Sequence, residues 1–437
     1  GREPHSLIGS SCFGASVIGG VCNNSGGSLV HRGVAYTEYA LFARTTADGR
    51  LELVNHLGID LGDDPVEMLQ RLEDGQFERD LPSDDNRVAH DTGYQHEVRD
   101  VDSATPARHN SDPRCLYEAS GSAGKVAVFA VRLDTFPLQP DTRTFYIGSR
   151  SPACLEELRR HILTECDPLP IAGEYLHSEA FDLADRYGKD QFLLIEKMGT
   201  ARMPRFFAMK GWMDATFSRW KWLPENLVDL VMYKMGNLWP DHLPRRMREW
   251  HKRFEHHLLV KVAADAAPVF QAILDRWQSI DDGYFLCTAE EAAKAFLHRF
   301  VVAGAAVRYH AIHARDTGGV LSLDVALRRN DRDWFEQLPQ QIDSQILHHI
   351  YYGHFLCHVL HQDYVLAKGA DAAIVKEAML QVLDQRGAIY PAEHNVGHSY
   401  RAPPELAAFY RASDPGNMFN PGIGKTSQLR AYAVPEE

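Results

Sequence analysis

The sequence predicts an α+β fold, and three observations carry this prediction. Short runs of alternating apolar and polar residues, typical of strands, dominate residues 1–135. From residue 145 onward, strand-like runs are followed by helix-like runs, and this layout occurs three times. Residues 199–253 fit neither pattern, because they combine tryptophans with many basic residues. The repeated strand–helix units predict an antiparallel sheet with helices on one face.

A glycine-rich run opens the chain at residues 9–33. Glycine has no Cβ and adopts positive φ, so such a run can bring backbone amides close to a ligand. Val17, Ile18 and Val21 lie between the glycines, which is unlike a flexible linker. The spacing also differs from the dinucleotide-binding fingerprint of a strand–turn–helix unit. We therefore predict a thin pocket wall here.

Strands are predicted next at residues 35–44 and 51–57, on either side of the turn Ala-Asp-Gly, and at residues 125–133. The intervening residues 60–112 are acidic and irregular. We expect them to form an exposed excursion.

The three strand–helix units follow. The first has a strand at residues 145–149 and a helix from residue 152, and the second has a strand at 257–262 and a helix at 266–277. The third has a strand at 353–361 and a helix that ends at Gly387.

The basic stretch carries eleven Lys or Arg residues against five acids over residues 202–253, and five of the seven tryptophans. Tryptophan beside a cation suits the headgroup layer of a membrane with anionic lipids. The alternative is a helical subdomain whose aromatic side chains form a core.

Composition excludes some classes of function. A net charge of −13 argues against nucleic acid as a partner, because phosphate binding needs a basic surface. Seven cysteines without a C-x-x-C motif fit reduced thiols in the cytosol. The sequence has neither a signal peptide nor an apolar run long enough to cross a bilayer.

Two constellations could carry chemistry. Glu393 and His394 are adjacent in the segment P-A-E-H-N-V-G-H, and a carboxylate beside a histidine can perform acid–base work or bind a metal. His354 and His361 lie seven residues apart on the predicted strand 353–361. Strict alternation would put them on opposite faces, so a shared ligand requires a bulge. Packed, hydrogen-bonded histidines are the alternative.

Residues 2–27, 121–133, 391–398 and 420–426 together resemble, in the same order, the quinone-linked D-lactate dehydrogenases of Gram-negative bacteria. Those enzymes are FAD flavoproteins of the p-cresol methylhydroxylase (PCMH) type, within the vanillyl-alcohol-oxidase superfamily. The resemblance implies oxidation of D-lactate to pyruvate and electron transfer to ubiquinone. It also implies peripheral attachment to anionic membrane lipids at the cytoplasmic face of the inner membrane.

The resemblance implies a domain order as well. Residues 1–135 would form the second lobe of a PCMH-type FAD-binding domain without its N-terminal lobe, and residues 386–437 would return to that domain. Residues 136–198 and 254–385 would form the two parts of a cap domain, and residues 199–253 a helical, basic membrane-docking insertion. Because the lobe with the pyrophosphate loop lies outside this sequence, we expect weak FAD binding by this polypeptide alone.

Site residues follow from the same resemblance. Gly9, Ser16, Gly26 and Val128 would contact the flavin. His394, beside Glu393, would take the hydroxyl proton of the substrate while a hydride passes from the α-carbon to the flavin. His354, His361 and Glu393 would hold a divalent metal, as in related enzymes, although the Gly-Asp-Gly that separates the two histidines there is missing here.

The substrate carboxylate needs a cation, and an arginine fork can bind both oxygens. Arg328 and Arg329 are the candidates, and the alternative places them on the surface.

Two rival functions remain open. The first is a metal-dependent, FAD-linked dehydrogenase for another, larger D-2-hydroxy acid that gives electrons to a soluble carrier. The second is a flavin-free, membrane-binding or scaffolding protein.

Overall fold

The computed structural model describes residues 1–5, 15–78, 86–220, 222–224 and 226–433. The strands of the described part are β1 (Arg2–Pro4), β2 (Ala40–Thr45), β3 (Leu51–Asn55), β4 (Ala127–Val131), β5 (Thr135–Pro137), β6 (Thr142–Ser149), β7 (Ala172–His177), β8 (His256–Ala263), β9 (Asp282–Leu286), β10 (Thr317–Ala326), β11 (Ile346–His354) and β12 (Val359–Ala367). The helices are α1 (Val17–Cys22), α2 (Pro65–Asp74), α3 (Tyr94–Arg99), α4 (Pro152–Glu165), α5 (Ser178–Tyr187), α6 (Lys189–Met198), α7 (Met203–Phe217), α8 (Leu227–Asn237), α9 (Arg245–His251), α10 (Ala267–Trp277), α11 (Ala289–Phe300), α12 (Val302–Ile312), α13 (Gln340–Asp343), α14 (Ala372–Arg386) and α15 (Pro404–Ser413).

Seven strands form the largest sheet, in the order β10-β12-β11-β7-β8-β6-β9. Every neighbouring pair in it is antiparallel. Two of the three predicted strand–helix units are present as β6–α4 and β8–α10, and in the third the helix α14 follows the strand β12. The α+β class and the antiparallel sheet are therefore confirmed. Helix α14 ends at Arg386, beside the predicted end at Gly387, and Gly387 takes the left-handed conformation that is common after a helix.

Helices cover both faces of this sheet. Helices α4, α10 and α14 pack on one face, where they meet strand residues such as Ile147 and Val260. Helices α5, α6, α11 and α12 pack on the other face, against Tyr146 and Leu259. The prediction of helices on one face is wrong, because strands such as β8 are buried along nearly their whole length and have core side chains on both faces.

The first segment holds a smaller, three-stranded sheet in the order β3-β2-β4, with α1 packed against it. The C-terminal segment contacts this sheet through the fully buried Lys125. Its ammonium donates to Asn417 Oδ1 at 2.5 Å and to the Phe419 carbonyl at 2.9 Å, and it lies 3.5 Å from Asp414 Oδ2. The end of the chain is thereby attached to the first segment.

Residues 60–112 are only partly the exposed excursion that the sequence predicts. Tyr94, Val98 and Arg108 are buried, and Tyr94 and Val98 join the main core. The prediction fails for this half because α3 is too short for its two apolar residues to give a helical periodicity in the sequence.

Strand β11 turns back at its end to pair with β12. A single helical turn at Phe355–Cys357 and a left-handed residue, His358 (φ 53°), form the connection. The predicted continuous strand 353–361 is therefore wrong, since His354 and Val359 face each other across a hairpin.

The basic stretch forms α7, α8 and α9. Trp212 and Trp222 are 68% and 79% exposed, and Trp220 and Trp239 are about half exposed. Only the fifth tryptophan, Trp250, packs inward, with its ring 4.9 Å from that of Phe285. The core alternative therefore holds for one of the five. No helix in the described part is long and apolar enough to cross a membrane.

Candidate active site

A cavity of about 860 Å³ opens between the β10–β12–β11 edge of the large sheet, helices α11 and α12, the glycine-rich residues 15–28 and the segment 391–400. Residues from the beginning, the middle and the end of the chain thus meet at one place. Charged and polar side chains line the strand side of this cavity, whereas α11 and α12 contribute mostly apolar ones.

A row of alternating charges crosses the floor of the cavity. His354 Nδ1 lies 2.7 Å from Glu174 Oε1, and His354 Nε2 lies 3.4 Å from Glu393 Oε2. Beyond Glu174, Arg299 Nη2 is 2.9 Å away, and beyond Glu393, Arg108 Nη2 is 3.0 Å away. All five side chains are at least nine-tenths buried, so each charge depends on its neighbours.

The row shifts the ionisation of its members. Burial disfavours the charged form of His354, but the carboxylates of Glu174 and Glu393 outweigh it and raise its pKa to about 10. Burial likewise opposes the charge of Glu174, but His354 and Arg299 lower its pKa to about 2. The pKa of Glu393 is lowered against burial by His354 and Arg108. The site therefore holds both carboxylates ionised at neutral pH.

Asp324 in β10 anchors the segment that carries His394. Its Oδ2 accepts hydrogen bonds from the backbone N–H of Glu393 at 2.6 Å and of His394 at 2.9 Å. The same oxygen lies 2.7 Å from His394 Nδ1, and Asp324 Oδ1 lies 3.3 Å from His361 Nδ1. Burial opposes the charge, but the bonds to His361 and His394 hold the pKa of Asp324 well below its usual range. An ionised Asp324 puts the proton of neutral His394 on Nδ1.

Gly26 brings the glycine-rich run into contact with Glu393. A Cβ at this position would lie 2.0 Å from Glu393 Oε1, so any larger residue would force the Glu393 side chain to move. Asn23 Nδ2 donates to the Glu393 carbonyl at 2.7 Å. Arg108 donates to the carbonyls of Gly27, Leu29 and Arg32, and so joins the run to the carboxylate of Glu393.

Comparison with known proteins decides the family. The family model for "D-lactate dehydrogenase, membrane binding" matches residues 144–432. The chain is 56% identical over 433 residues to the quinone-dependent D-lactate dehydrogenase of Escherichia coli K12, covering 99% of this chain and 76% of that protein. It is 51% identical over 436 residues to the enzyme of the same name from Haemophilus influenzae, covering 99% and 77%. The chain belongs to the family of quinone-dependent D-lactate dehydrogenases. Among solved structures, p-cresol methylhydroxylase matches 94% of this chain and 70% of its own, at 12% identity and a TM-score of 0.44.

Six of the predicted site residues line this cavity: Ser16, Gly26, His354, His361, Glu393 and His394. His354 and His361 meet without the predicted bulge because they lie on the two strands of a hairpin, in which Tyr352 pairs with His361. The centres of the two imidazole rings are 5.2 Å apart. Their chemical roles remain predictions.

Two predicted flavin contacts are not found at this cavity. Gly9 lies outside the described residues. Val128 pairs with Phe42 in the three-stranded sheet and packs against its core, away from the residues that line the cavity. Val128 therefore does not line this cavity, because β4 belongs to the three-stranded sheet against which α1 packs, and its contact with a flavin stays a prediction.

The predicted carboxylate ligands, Arg328 and Arg329, do not line this cavity either. The Arg329 guanidinium binds Thr105 O at 3.0 Å and pairs with Glu97 at 2.9 Å, which ties down residues 97–105. The Arg328 side chain lies beside Gly387. Both residues follow the end of β10 at Ala326, where the chain leaves the cavity.

A different arginine, Arg299, lines the cavity of this chain. Its guanidinium lies 4.4 Å from the centre of the Tyr352 ring and pairs with Glu174. Its Nε is buried without a hydrogen-bond partner. The sequence holds one signal for it, a basic residue between Phe296 and Phe300 on the buried side of an amphipathic helix.

Ligand atoms for a metal also come together. Within the described part of the chain, one nitrogen or oxygen from each of His354, His361 and Glu393 lies within 4.8 Å of the others, and Asp324, His361 and His394 form a second such group. The second carboxylate behind His354, Glu174, resembles the partner that orients a metal-bound histidine.

Proposed function

We propose that this chain oxidises D-lactate to pyruvate with FAD and passes the electrons to a membrane quinone. Membership of the quinone-dependent D-lactate dehydrogenase family over 99% of the chain supports the reaction class. The observation that carries the mechanism is the Asp324–His394 pair, 2.7 Å apart, at a cavity bordered by a glycine-rich wall.

The residues of that wall fit a flavin. Ala15, Ser16, Gly19 and Gly20 line the cavity with little side-chain bulk, so a planar ring can come close to the backbone there. Bound FAD supplies the acceptor for the hydride that leaves the substrate α-carbon. In this proposal residues 1–135 and 386–437 form the FAD-binding part, and the strands and helices of 136–198 and 254–385 form the cap.

His394 is the general base. With its Nδ1 proton directed at Asp324, its Nε2 lone pair takes the proton of the substrate hydroxyl. The resulting imidazolium lies next to an ionised carboxylate, which stabilises it in the manner of a histidine–aspartate pair. About half of the His394 side chain is exposed, so a substrate can reach it.

Arg299 binds the substrate carboxylate. It lines the cavity, and its guanidinium is held against the Tyr352 ring and by its pair with Glu174. The planar, fixed guanidinium would meet the substrate carboxylate beside that pair. D-Lactate loses one hydride from carbon and one proton from oxygen, which together make two electrons and two protons.

The exposed aromatic face of α7 and α8 attaches the protein to anionic lipids. Four large apolar side chains in or near these helices are about half exposed or more: Trp212, Trp222, Leu238 and Trp239. The segment 202–253 carries a net charge of about +6, from eleven basic and five acidic residues. Interfacial aromatic residues combined with basic ones suit the cytoplasmic leaflet, which is rich in anionic lipids. We assign the protein to the cytoplasmic face of the inner membrane, as a peripheral protein.

A second version of the mechanism includes a divalent metal. The observation that favours it is the convergence of His354, His361 and Glu393, a nitrogen- and oxygen-containing set that suits first-row metals. Such a metal would polarise the substrate hydroxyl and help His394 to remove its proton. Binding would require His354 to lose the proton that the two carboxylates stabilise.

Anaerobic mixing of the FAD-loaded protein with D-lactate tests the proposal, with the flavin absorbance as readout. His394→Gln should lower the rate of bleaching by about 10²–10⁴-fold, because a general base contributes that much. His398→Gln, an exposed histidine four residues away, serves as the control and should stay within about twofold. Equal rates for the two variants would refute His394 as the base.

The rival functions give different outcomes. Full loss of bleaching after chelation, restored by a divalent metal, would establish the metal version. Vesicles of anionic lipid should bind the protein, and Trp212→Ser with Leu238→Ser should weaken binding more than Ile280→Ser, an exposed apolar residue elsewhere. Vesicle binding with no bleaching by D-lactate would favour a flavin-free membrane protein instead.

A further inference from the structure

An apolar stripe runs along helices α11 and α12 on the wall of the active-site cavity. It consists of Phe296, Phe300, Ala303 and Val307, all of which line the cavity. Phe296 and Phe300 are four residues apart on α11, and Ala303 and Val307 are four residues apart on α12, so each pair lies on one face of its helix. The polar chemistry proposed for D-lactate uses none of these side chains.

The stripe leads towards the membrane-docking helices. Val307, at its end, is 63% exposed, although valine is normally buried. The next residue, Arg308, pairs with Asp229 of α8 at 2.7 Å and with Asp190 at 2.9 Å. Asn226, just before α8, donates to the Ala311 carbonyl at 2.6 Å. These bonds attach the outer half of α12 to the helix that exposes apolar side chains to the lipid.

The exposed apolar side chains of α8 and the residues after it complete this path. Val231 and Met235 are about half exposed and Leu238 is 85% exposed. An apolar wall inside the cavity is therefore joined, through α12 and α8, to the face that we assign to the membrane. A ligand that arrives dissolved in lipid would meet apolar surface along this path.

The cavity is also larger than D-lactate needs. A volume of about 860 Å³ lies in the range that holds a ligand of many atoms, whereas a three-carbon acid with polar groups at each end matches only the charged floor. The flavin proposed for the 15–28 wall accounts for one side of this space. Apart from Arg299, the α11–α12 side is apolar, and its apolar side chains have no occupant in the proposed reaction.

We propose that the stripe Phe296, Phe300, Ala303 and Val307 is the surface on which the quinone ring binds, entered from the membrane side of α12. This inference rests on the proposed function and assigns the site of its second substrate. Reduction of the quinone to quinol takes up two electrons and two protons, the same number that D-lactate gives up on becoming pyruvate. Both half-reactions then share one cavity, with the charged floor for the acid and the apolar wall for the quinone.

The test compares Val307→Asp with Ile374→Asp, since Ile374 is 64% exposed on α14 at the other face of the sheet. Two rates are measured on each flavin-loaded protein: bleaching by D-lactate, and reoxidation by a short-chain ubiquinone added afterwards. Val307→Asp should lower the ratio of reoxidation to bleaching by about tenfold or more, as expected for a polar change in an apolar pocket. Ile374→Asp should leave that ratio unchanged, and an equal ratio in both variants would overturn the inference.

Photochemical cross-linking with an azido-ubiquinone gives an independent readout. Labelled peptides from residues 296–307 would support the assignment. Labels confined to residues 207–239, or absent from residues 296–307 altogether, would overturn it. Failure of D-lactate to bleach the flavin would count against the proposed function, whereas the cross-linking pattern would still decide where the quinone binds.

Discussion

Substitution of Gly26 by alanine is the sharpest probe of the site, because one added carbon acts on one carboxylate. The new Cβ would lie 2.0 Å from Glu393 Oε1 and 2.6 Å from its Cδ, where ordinary contact begins near 3.4 Å. The Glu393 carboxylate must therefore retreat by about 1.4 Å. Gly26 does not have a positive φ, so the backbone itself accepts alanine without strain.

That retreat pulls Glu393 from both of its partners. Its pairs with Arg108 at 3.0 Å and His354 at 3.4 Å lengthen, and each charge-assisted contact is worth about 1.5–3 kcal/mol. We expect the free energy of unfolding to fall by about 2–3 kcal/mol. We also expect flavin bleaching by D-lactate to slow by about 100-fold, the typical cost of a 1 Å misplacement in an active site.

Urea unfolding and anaerobic bleaching measure the two effects. Gly211→Ala is the matched control, because nothing lies within 4 Å of its added Cβ, and alanine in the middle of α7 should be neutral or stabilising. Glu393→Asp removes one methylene and makes room, so the double variant Gly26→Ala/Glu393→Asp should lose less than the two single losses combined. A Gly26→Ala protein that matches Gly211→Ala in stability and rate would refute the reasoning.

Three further predictions follow from the same structure. Asp324→Asn should slow flavin bleaching by about 10²–10⁴-fold, because an amide no longer fixes the His394 proton on Nδ1. The KM for D-lactate should change less than kcat. An unchanged kcat would contradict the role of Asp324 in holding the His394 proton. Lys125→Met should lower the free energy of unfolding by about 3 kcal/mol in urea, because it leaves Asp414 buried without its cation, and a loss below about 1 kcal/mol would argue against a buried ion pair. The free energy of unfolding should also fall as the pH falls from about 6.5 to 5, because the histidines of the unfolded chain take up protons that three buried histidines of the folded chain exclude. The loss is up to about 1.4 kcal/mol per pH unit for each buried histidine. Urea midpoints that stay constant over this pH range would count against this prediction. The histidines concerned are His242, with a folded pKa of about 4, and His256 and His298, each with a folded pKa of about 3, all lowered chiefly by burial.

Local chemistry accounts for the parts of the site that the sequence predicts. Glu393 and His394 are adjacent, and the turn-forming residues around them indicate a bend, so their placement in one cavity needs no knowledge of the fold. Gly26 belongs to a run whose lack of side chains already predicts close approach. Such features are visible because all of their members lie within a few residues of one another.

Pairing between distant strands accounts for what the sequence does not predict. Glu174 faces His354 directly across the β7–β11 pair, 180 residues away, and nothing in either segment indicates that register. Arg108 lies in a stretch that looks irregular and acidic, so its burial is not evident from composition. Asp324 sits in a strand of apolar neighbours, and an acid in such a run is the one signal that could have marked it.

The position of Arg328 and Arg329 outside the cavity lining has a similar cause. Two adjacent arginines after an apolar run look like a cluster at the end of a strand, and β10 does end just before them at Ala326. The chain then turns towards residues 97–105, and Arg329 becomes a brace for that loop. Whether an arginine after β10 reaches the cavity depends on how many residues separate it from the end of the strand, and its charge does not decide this.

The length of the short connection between β11 and β12 sets the register of the two strands. The single turn at Phe355–Cys357 and the left-handed His358 fix how far the chain travels before it comes back, and so fix which residue of β12 stands next to His354. One residue more or fewer in this connection would rotate every later side chain of β12 to the other face of the sheet, and His361 would leave the cavity. Evolution of this site is therefore free to exchange side chains at the hairpin tip but not to change its length.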